Sequence, residues 1–157
     1  MVCLSNNMSE PIATNKKAYH NYHLMDKWEC GIELVGPEVK SLRESGASFT
    51  DSYARIDKEQ MYLYNVHITP YKQASYNNLE AVRTRRLLLN RKEIERIKGR
   101  LASSGLTLIP TKMYFNKRGF VKVEIALGQG KKAYDKRESI KEREAKREID
   151  RGVKIRR

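Results

Sequence analysis

The feature that most constrains the fold is the strict alternation of side chains from Val121 to Leu127. The odd positions are bulky and apolar, whereas the even positions are small or charged. This period of two is typical of a β-strand with one face buried. A second apolar stretch, Thr107 to Phe115, precedes it across a four-residue connection, 116–119, that ends in glycine. The two stretches therefore predict an antiparallel hairpin and a fold built on a sheet.

The same reading predicts three further strands. Ser48–Ile56 and Gln60–His67 form a second hairpin through the charged turn Asp57-Lys58-Glu59. Glu29–Val35 is an additional strand, with one apolar face formed by Cys30, Ile32 and Leu34.

Two helices are predicted between these strands. The first opens at Gly36-Pro37-Glu38, where proline suits the first turn and the acid suits the positive end of the helix dipole, and Gly46 lies beyond its end. The second begins at Asn90, since Glu93 three residues later completes a capping-box pattern. Its inward stripe then consists of Ile94, Ile97 and Leu101, and that of the first helix of Val39 and Leu42.

Short strands with inserted helices predict a mainly β fold with inserted α. We expect a small, partly open barrel of the oligonucleotide-binding (OB) kind with two to three helices. The 157 residues suit one domain with appendages. The composition predicts a flexible leader over 1–14, an OB-like barrel over 15–129 and a basic C-terminal tail over 130–157.

The tail holds 12 lysines and arginines against 6 acids, a net charge of +6, and few apolar side chains. Such a segment cannot offset the entropy of ordering its backbone, so we expect a tail that is disordered when free. Glutamates precede cations at helical pairing distance from residue 142 onward, so the tail is expected to become helical from about Asp135 once a partner orders it. A charge-rich helix lying permanently on the body is the alternative.

The charge of the whole chain, +13 with an isoelectric point near 9.8, indicates a polyanionic partner. An acidic membrane surface would require an amphipathic helix with bulky apolar anchors, and the sequence has none. It also lacks an apolar run of about 18 residues and a signal-peptide core. We therefore expect a cytoplasmic protein. Cys3 and Cys30 indicate neither a disulfide framework nor a zinc site.

No catalytic pattern is found in the sequence. His20, His23 and His67 lie outside any phosphate loop, metalloprotease or hydrolase motif. We therefore expect no enzyme activity, no cofactor or metal and no small-molecule substrate.

Basic clusters are the stronger functional signal. In Arg83-Thr84-Arg85-Arg86 three guanidinium groups directly precede an apolar run, so the arginines can contact RNA phosphates while the leucines anchor the segment. A solvated loop leading into the second helix is the alternative. Lys40 and Arg43 on the outer face of the first helix form a second candidate, for which an ordinary exposed helix face is equally compatible.

Aromatic side chains are spread over the predicted strands and loops, where a ring is either part of the core or an exposed platform for an unpaired base. Tyr134 differs because it lies in the polar tail, where no core is available. The others are Tyr53, Tyr62, Tyr64, Tyr71, Tyr76, Tyr114, Phe115 and Phe120.

Three segments together resemble a known family. They are Gly36 to Arg43 (GPEVKSLR), Arg83 to Leu89 (RTRRLLL), and the tail blocks from Gly130 to Glu144 that contain GKK, DKR and IKERE. In order and spacing they resemble the signature blocks of small protein B (SmpB), and the resemblance covers about residues 15–150.

The resemblance implies a bacterial RNA-binding protein that binds the tRNA-like domain of transfer-messenger RNA (tmRNA, or SsrA RNA). It implies delivery of that RNA to stalled 70S ribosomes for trans-translation, with elongation factor Tu in the delivery complex. The basic tail would occupy the empty mRNA channel and the 16S rRNA decoding centre, and it would become helical in that rRNA-lined groove on the ribosome. Ribosome rescue and the tagging of incomplete proteins would follow. A basic OB-fold ribosomal or translation-factor protein that binds rRNA is the alternative.

The resemblance also implies site residues. RNA contacts map onto Asn15, His20, Glu29, Leu88 and Lys122, beside the arginine segment. Tail determinants map onto Gly130, Lys131, Lys132, Tyr134, Asp135, Lys136 and Arg137, and the following block contributes Ile140, Lys141 and Arg143. Some positions depart from the family pattern: Ala81-Val82 stands where a proline commonly precedes the arginines, and Asn90 replaces a frequent histidine.

Overall fold

The computed structural model of the chain describes residues 11–44, 46–71, 80–102, 105–132, 140 and 144–145. Within these ranges it contains nine strands and three helices. The strands are β1 Pro11–Thr14, β2 Tyr22–Ile32, β3 Ala47–Ser48, β4 Tyr53–Asp57, β5 Gln60–Tyr64, β6 His67–Ile68, β7 Arg85–Leu88, β8 Leu106–Phe115 and β9 Val121–Gly130. The helices are α1 Lys16–Asn21, α2 Gly36–Glu44 and α3 Arg91–Leu101. The prediction of a mainly β fold with inserted helices is confirmed.

The main sheet closes on itself into a barrel. Its strands are ordered β8, β4, β5, β7, β2 and β9, and β9 pairs again with β8. The closing contact between β4 and β8 is short, a single pair at Ala54 and Leu108, whereas β8 and β9 pair from Leu106 to Phe115. Strand β1 extends the sheet by pairing with β8 from Pro11 to Thr14. The predicted OB-like barrel is thereby confirmed.

The interior of the barrel follows the period of two that the sequence shows. Val121, Val123, Ile125 and Leu127 of β9 are all nearly or fully buried. Met61 and Leu63 of β5, Leu87 of β7 and Leu108 and Met113 of β8 pack against them in the same apolar cluster. Because these side chains come from neighbouring strands, burial of one face holds the ring together.

The predicted turns and caps also form. Strand β4 ends at Asp57, and the two-residue turn Lys58-Glu59 has positive φ at both positions, 45° and 63°, as a tight hairpin turn with right-handed twist requires. At the start of α3, the Asn90 backbone N–H donates to Glu93 Oε2 at 3.1 Å. This bond is the reciprocal half of the predicted capping box.

Several predicted boundaries were wrong. Residues 11–14 of the predicted leader form strand β1, because their backbone pairs with β8. Strand β2 begins at Tyr22, seven residues before its predicted start, and ends at Ile32. Strand β9 continues to Gly130, which pairs with Tyr22, so the first residue of the predicted tail belongs to the barrel. Residues 1–10 lie outside the described part of the chain.

Candidate nucleic-acid interface

Strand β7 divides the predicted arginine segment between the inside and the outside of the barrel. Arg85 and Leu87 are buried, whereas Arg86 and Leu88 are exposed. The reason is the pleat of the strand, which points successive side chains to opposite faces. Leu87 fills the apolar interior. Arg85 lies two residues earlier on the same face of the strand and must therefore also point inward.

The inward arginine is held by an ion-pair network around Glu38, in the first turn of α2. Arg85 Nε donates to Glu38 Oε1 at 3.0 Å, and Arg83 donates to both oxygens, at 2.9 and 2.6 Å. Arg85 also donates to the backbone carbonyls of Val66, Arg83 and Ala81 at 2.7 to 3.1 Å. The guanidinium of Arg85 is thus fully occupied by protein acceptors.

The network keeps the carboxylate of Glu38 ionised inside the fold. Burial by itself raises the pKa of Glu38, but hydrogen bonds from Arg83 and from the Val35 N–H, with the charge of Arg85, hold that pKa below its ordinary value. The prediction that Arg85 contacts RNA phosphates is therefore corrected: its side chain has no exposed surface. Arg83 is about a quarter exposed and is committed to the same carboxylate.

Four of the predicted RNA-binding side chains meet at one cleft. Glu29 of β2, Arg86 and Leu88 of β7 and Lys122 of β9 line a depression of about 590 Å³ on the outer surface of the barrel. The N-terminal end of α3 forms its other wall through Asn90 and Arg91. These residues are distant in sequence, and the order β7, β2, β9 brings them side by side.

Leu88 is an exposed apolar side chain in the middle of this surface. It is 47% exposed and pairs with Gly31 across β2 and β7. A Cβ atom at Gly31 would lie 3.3 Å from Leu88 Cβ, so the glycine allows Leu88 to lie close over β2. Leu88 thereby adds an apolar surface to the cleft that Glu29 and Lys122 also line.

Glu29 is held in a polar row that runs across β2, β8 and β9. The Tyr114 hydroxyl donates to Glu29 Oε2, and Lys122 Nζ lies 3.7 Å from Glu29 Oε1. Burial and the hydrogen bond to the carboxylate raise the pKa of Tyr114, so the phenol stays protonated as a donor. With one oxygen bound to Tyr114, the orientation of the carboxylate is set before any ligand arrives.

Asn15 and His20 lie outside this cleft. Asn15 caps α1 and is nearly buried: its Nδ2 donates to the Pro110 carbonyl and its Oδ1 accepts from the Ala18 N–H, both at 3.0 Å. Its side-chain amide therefore stabilises the fold locally. His20 lies in the last turn of α1, with Nδ1 3.0 Å from Asn21 Oδ1.

The base of the tail meets the same helix. The Lys131 backbone N–H donates to the Asn21 carbonyl at 2.9 Å, and Lys131 Nζ lies 3.4 Å from the Tyr19 carbonyl. Lys132 and Ile140 are exposed. The remaining tail determinants lie outside the described residues: Tyr134, Asp135, Lys136, Arg137, Lys141 and Arg143.

Lys40 and Arg43 are exposed on α2, as predicted. Lys40 Nζ lies 5.8 Å from the centre of the Tyr71 ring, and Arg43 Cζ lies 5.7 Å from the centre of the Phe115 ring. Both distances suit cation–π contacts. Neither residue belongs to the described wall of the cleft.

Sequence reasoning missed three residues of this region. Glu38 is the partner of two arginines, and Tyr114 is the partner of Glu29. The third is Glu33, whose carboxylate lies 3.4 Å from Arg86 Nε. A signal existed only for the first. Reading Arg85 to Leu88 as a strand would have placed Arg85 on the inner face with Leu87, and a buried arginine requires an acid.

Within the described ranges, no three histidine, cysteine or acidic side chains are grouped so that they could hold a metal ion. None of the described helices has the length and apolar character needed to cross a membrane. Burial raises the pKa of the Cys30 thiol to about 12, so this cysteine is an inert core residue.

The fold and the cleft together define a class: a basic OB-like barrel with an exposed polar and apolar site on its outer strands. The family profile described as SmpB protein matches residues 12–155. The chain belongs to the SmpB family.

The chain is similar to two SsrA-binding proteins and to one solved structure over most of its length. An SsrA-binding protein of Thermosipho africanus is 55% identical over 91% of this chain and 96% of its own length. That of Syntrophobacter fumaroxidans is 58% identical over 93% of this chain and 90% of its own length. A solved structure described as "tmRNA-SmpB: a journey to the center of the bacterial ribosome" has a TM-score of 0.67 and 45% identity, and the match covers 79% of this chain and 87% of that one.

Proposed function

We propose that this protein binds the tRNA-like domain of tmRNA and delivers that RNA to stalled bacterial ribosomes for trans-translation. The observation that carries the proposal is the similarity to SsrA-binding proteins, which extends over nine-tenths of the chain at more than 50% identity. The similar structure of an SmpB with tmRNA and the bacterial ribosome supports the same assignment. The protein acts by binding and positioning RNA in the cytoplasm rather than by catalysis.

The chemistry of the cleft fits a folded RNA. Arg86 and Lys122 at its edges are suited to phosphates, and their contacts would release counterions. Glu29 can only accept hydrogen bonds and repels phosphates, so it selects donors such as base amino groups or a ribose 2′-hydroxyl. Leu88 provides an apolar surface for a sugar or a base. A site of this kind recognises hydrogen-bond donors and apolar groups of the RNA as well as the charge of its phosphates.

The second part of the proposal concerns the tail. Its base is fixed to α1 through Lys131, beside His20, so the chain leaves the barrel at a defined point. From there the segment 133–157 enters the empty mRNA channel and reaches the 16S rRNA decoding centre, while elongation factor Tu accompanies the delivery complex. The tail's net positive charge supports contact with rRNA.

Sequencing the RNA that co-purifies with the protein from cells tests the RNA assignment. We expect one dominant structured RNA with a tRNA-like end. Recovery of rRNA alone would instead favour a basic OB-fold ribosomal or translation-factor protein, and that candidate would sediment with all ribosomes rather than with stalled ones.

Truncation tests the tail. The cut belongs after Lys132, because removing Lys131 would also remove its backbone bond to Asn21. We expect the shortened protein to fold and to bind the tRNA-like RNA as the full chain does, but not to support peptidyl transfer to tmRNA in a reconstituted tagging assay. Tagging by the truncated protein would refute the proposed role of the tail.

A further inference from the structure

Phe120 is the most exposed large apolar side chain in the described part of the structure. It is 64% exposed and stands at the end of the β8–β9 hairpin. It lines a groove of about 640 Å³ whose other apolar side chains come from β2, from the segment after it, from α2, from β7 and from β9. They are Ile32, Leu34, Val39, Leu88 and Val121. The groove extends beyond the cleft described above.

The hairpin end that carries Phe120 is a hydrogen-bonded turn. Asn116 Oδ1 accepts from the backbone N–H groups of Arg118 and Phe120, at 3.0 and 2.8 Å. The Asn116 N–H donates to the Phe120 carbonyl at 2.8 Å, and Gly119 takes the positive φ of 80° that closes the turn. With the bond from the Gly119 N–H to the Asn116 carbonyl at 2.9 Å, four hydrogen bonds hold this turn together. The ring is exposed by a defined structure, so a ligand would not have to order the loop.

Three cations lie within three residues of Phe120 in the sequence: Lys117, Arg118 and Lys122. Lys117 and Arg118 are exposed at the hairpin end, and Arg118 and Lys122 line the groove itself. An exposed aromatic ring among cations is the combination that holds an unpaired base by stacking and its phosphate by charge.

The groove is continuous with the candidate RNA cleft. Leu88 and Lys122 line both, so these two residues form the ridge between them. A strand of RNA whose phosphate contacts Lys122 from the cleft therefore reaches the groove within one nucleotide.

We propose that the Phe120 groove binds an unpaired base of the RNA that occupies the neighbouring cleft, with the base stacked on the Phe120 ring. The proposal rests on the proposed RNA-binding function and adds a site to it. Stacking has no sequence preference, because every base has an aromatic face. The groove would thus hold an unstacked nucleotide of any identity and favour RNA with an extruded base beside its folded part.

Binding of full-length protein to a transcript of the tRNA-like domain tests the proposal. Loss of one stacked base predicts that Phe120→Ala weakens binding by roughly 5- to 100-fold, whereas Phe120→Tyr retains wild-type affinity. The slope of log affinity against log salt stays unchanged, because no charge is removed. The matched control is Val82→Ala, which shortens an exposed apolar side chain, 42% exposed, outside the groove.

The outcomes separate the two proposals. If the wild-type protein does not prefer the tRNA-like transcript over random polynucleotide, the proposed function fails. If the wild type binds and Phe120→Ala binds equally well, only the groove proposal is overturned. Normal RNA binding by Phe120→Ala combined with lost tagging also overturns it, in favour of a protein in the groove.

A spectroscopic test does not depend on affinity. The chain has a single tryptophan, Trp28, so Phe120→Trp adds one reporter over a known background. Stacking of a base on the new indole predicts quenching of its fluorescence when the transcript is added, beyond the change seen for the wild type. An unquenched indole in the saturated complex would contradict base stacking at this position.

Discussion

Two groups of charged side chains meet at strand β7 through the neighbouring residues Arg85 and Arg86 and face opposite environments. The inner group joins Glu38 to Arg83 and Arg85 beneath α2. The outer group places Glu29, Arg86 and Lys122 around an open cleft. Both contain arginine and glutamate, and both take an arginine from the segment Arg83 to Leu89 that resembles one family's signature. The comparison shows that, along one basic strand, side chains that stabilise the fold alternate with side chains that are available for binding.

The two groups differ in how many hydrogen-bond acceptors the protein itself already provides for the arginine. Arg85 has four protein acceptors and no exposed surface, so a phosphate could gain nothing from it. Arg86 has one loose partner, Glu33, and is 45% exposed. An exposed pair of this kind contributes little to stability, which leaves the guanidinium available to a ligand.

The largest expected effect is the loss of the buried arginine. Arg85→Ala leaves the Glu38 carboxylate in the interior with one arginine fewer, so it should lower the free energy of unfolding by about 3–5 kcal/mol. Urea denaturation measures the change. Arg86→Ala, one residue away, is the matched control and should cost less than about 1 kcal/mol. Equal losses for the two variants would break the comparison.

The next effect is a dependence of stability on pH. Glu38→Gln removes the charge between Arg83 and Arg85 and should cost about 2 kcal/mol at neutral pH. Because the pKa of Glu38 is lower in the folded protein, the contribution is present above the unfolded value of about 4.3 and is lost as the pH falls through the folded value.

Wild type and Glu38→Gln should therefore converge in stability as the pH falls below about 4. Denaturation at a series of pH values provides the measurement. Glu33→Gln, on the exposed pair with Arg86, is the control and should show a small difference at neutral pH. A gap for Glu38→Gln that stays constant down to strongly acid pH would argue against an ionised network.

In the outer group the expected effects are on RNA binding. Arg86→Ala and Lys122→Ala should each weaken binding of the tRNA-like transcript and reduce the salt slope by about 1, since each removes one phosphate contact. Titrations at several salt concentrations measure both quantities. Lys98→Ala removes the same charge from α3 away from the cleft and should leave the slope nearly unchanged. The assignment fails if all three variants behave alike.

The smallest expected effect concerns orientation within the outer group. Tyr114→Phe removes the hydroxyl that holds Glu29 and should weaken RNA binding by about two- to tenfold without changing the salt slope. In a Glu29→Gln background the same substitution should have little further effect, because the carboxylate is already absent. Additive losses would show that Tyr114 acts independently of Glu29.

Much of the fold followed from local patterns. The alternation of Val121 to Leu127 and the capping pair Asn90 and Glu93 predicted β9 and the start of α3, because both signals lie within a few residues. Strand β2 was predicted too short, since its first seven residues are mostly polar or aromatic and owe their conformation to pairing with β9. The pairing of a segment with a strand that is distant in sequence cannot be predicted from the residues of that segment alone.

The candidate site was predictable in its residue types but not in its geometry. Glu29, Leu88 and Lys122 were identified by resemblance, and β2, β7 and β9 bring them together. The partners Tyr114 and Glu33 could not be identified, because hydrogen bonds between residues that are distant in sequence depend on strand order.

The sequence by itself determined a basic chain with a half-buried sheet, two capped helices and a family resemblance, since charge, hydrophobic period and caps are properties of neighbouring residues. The tertiary structure alone decided which arginine is buried, where the tail leaves the barrel and which side chains share the cleft. Those outcomes depend on closure of the barrel, and closure fixes the neighbours of each strand through contacts between residues up to 108 positions apart, as at Tyr22 and Gly130.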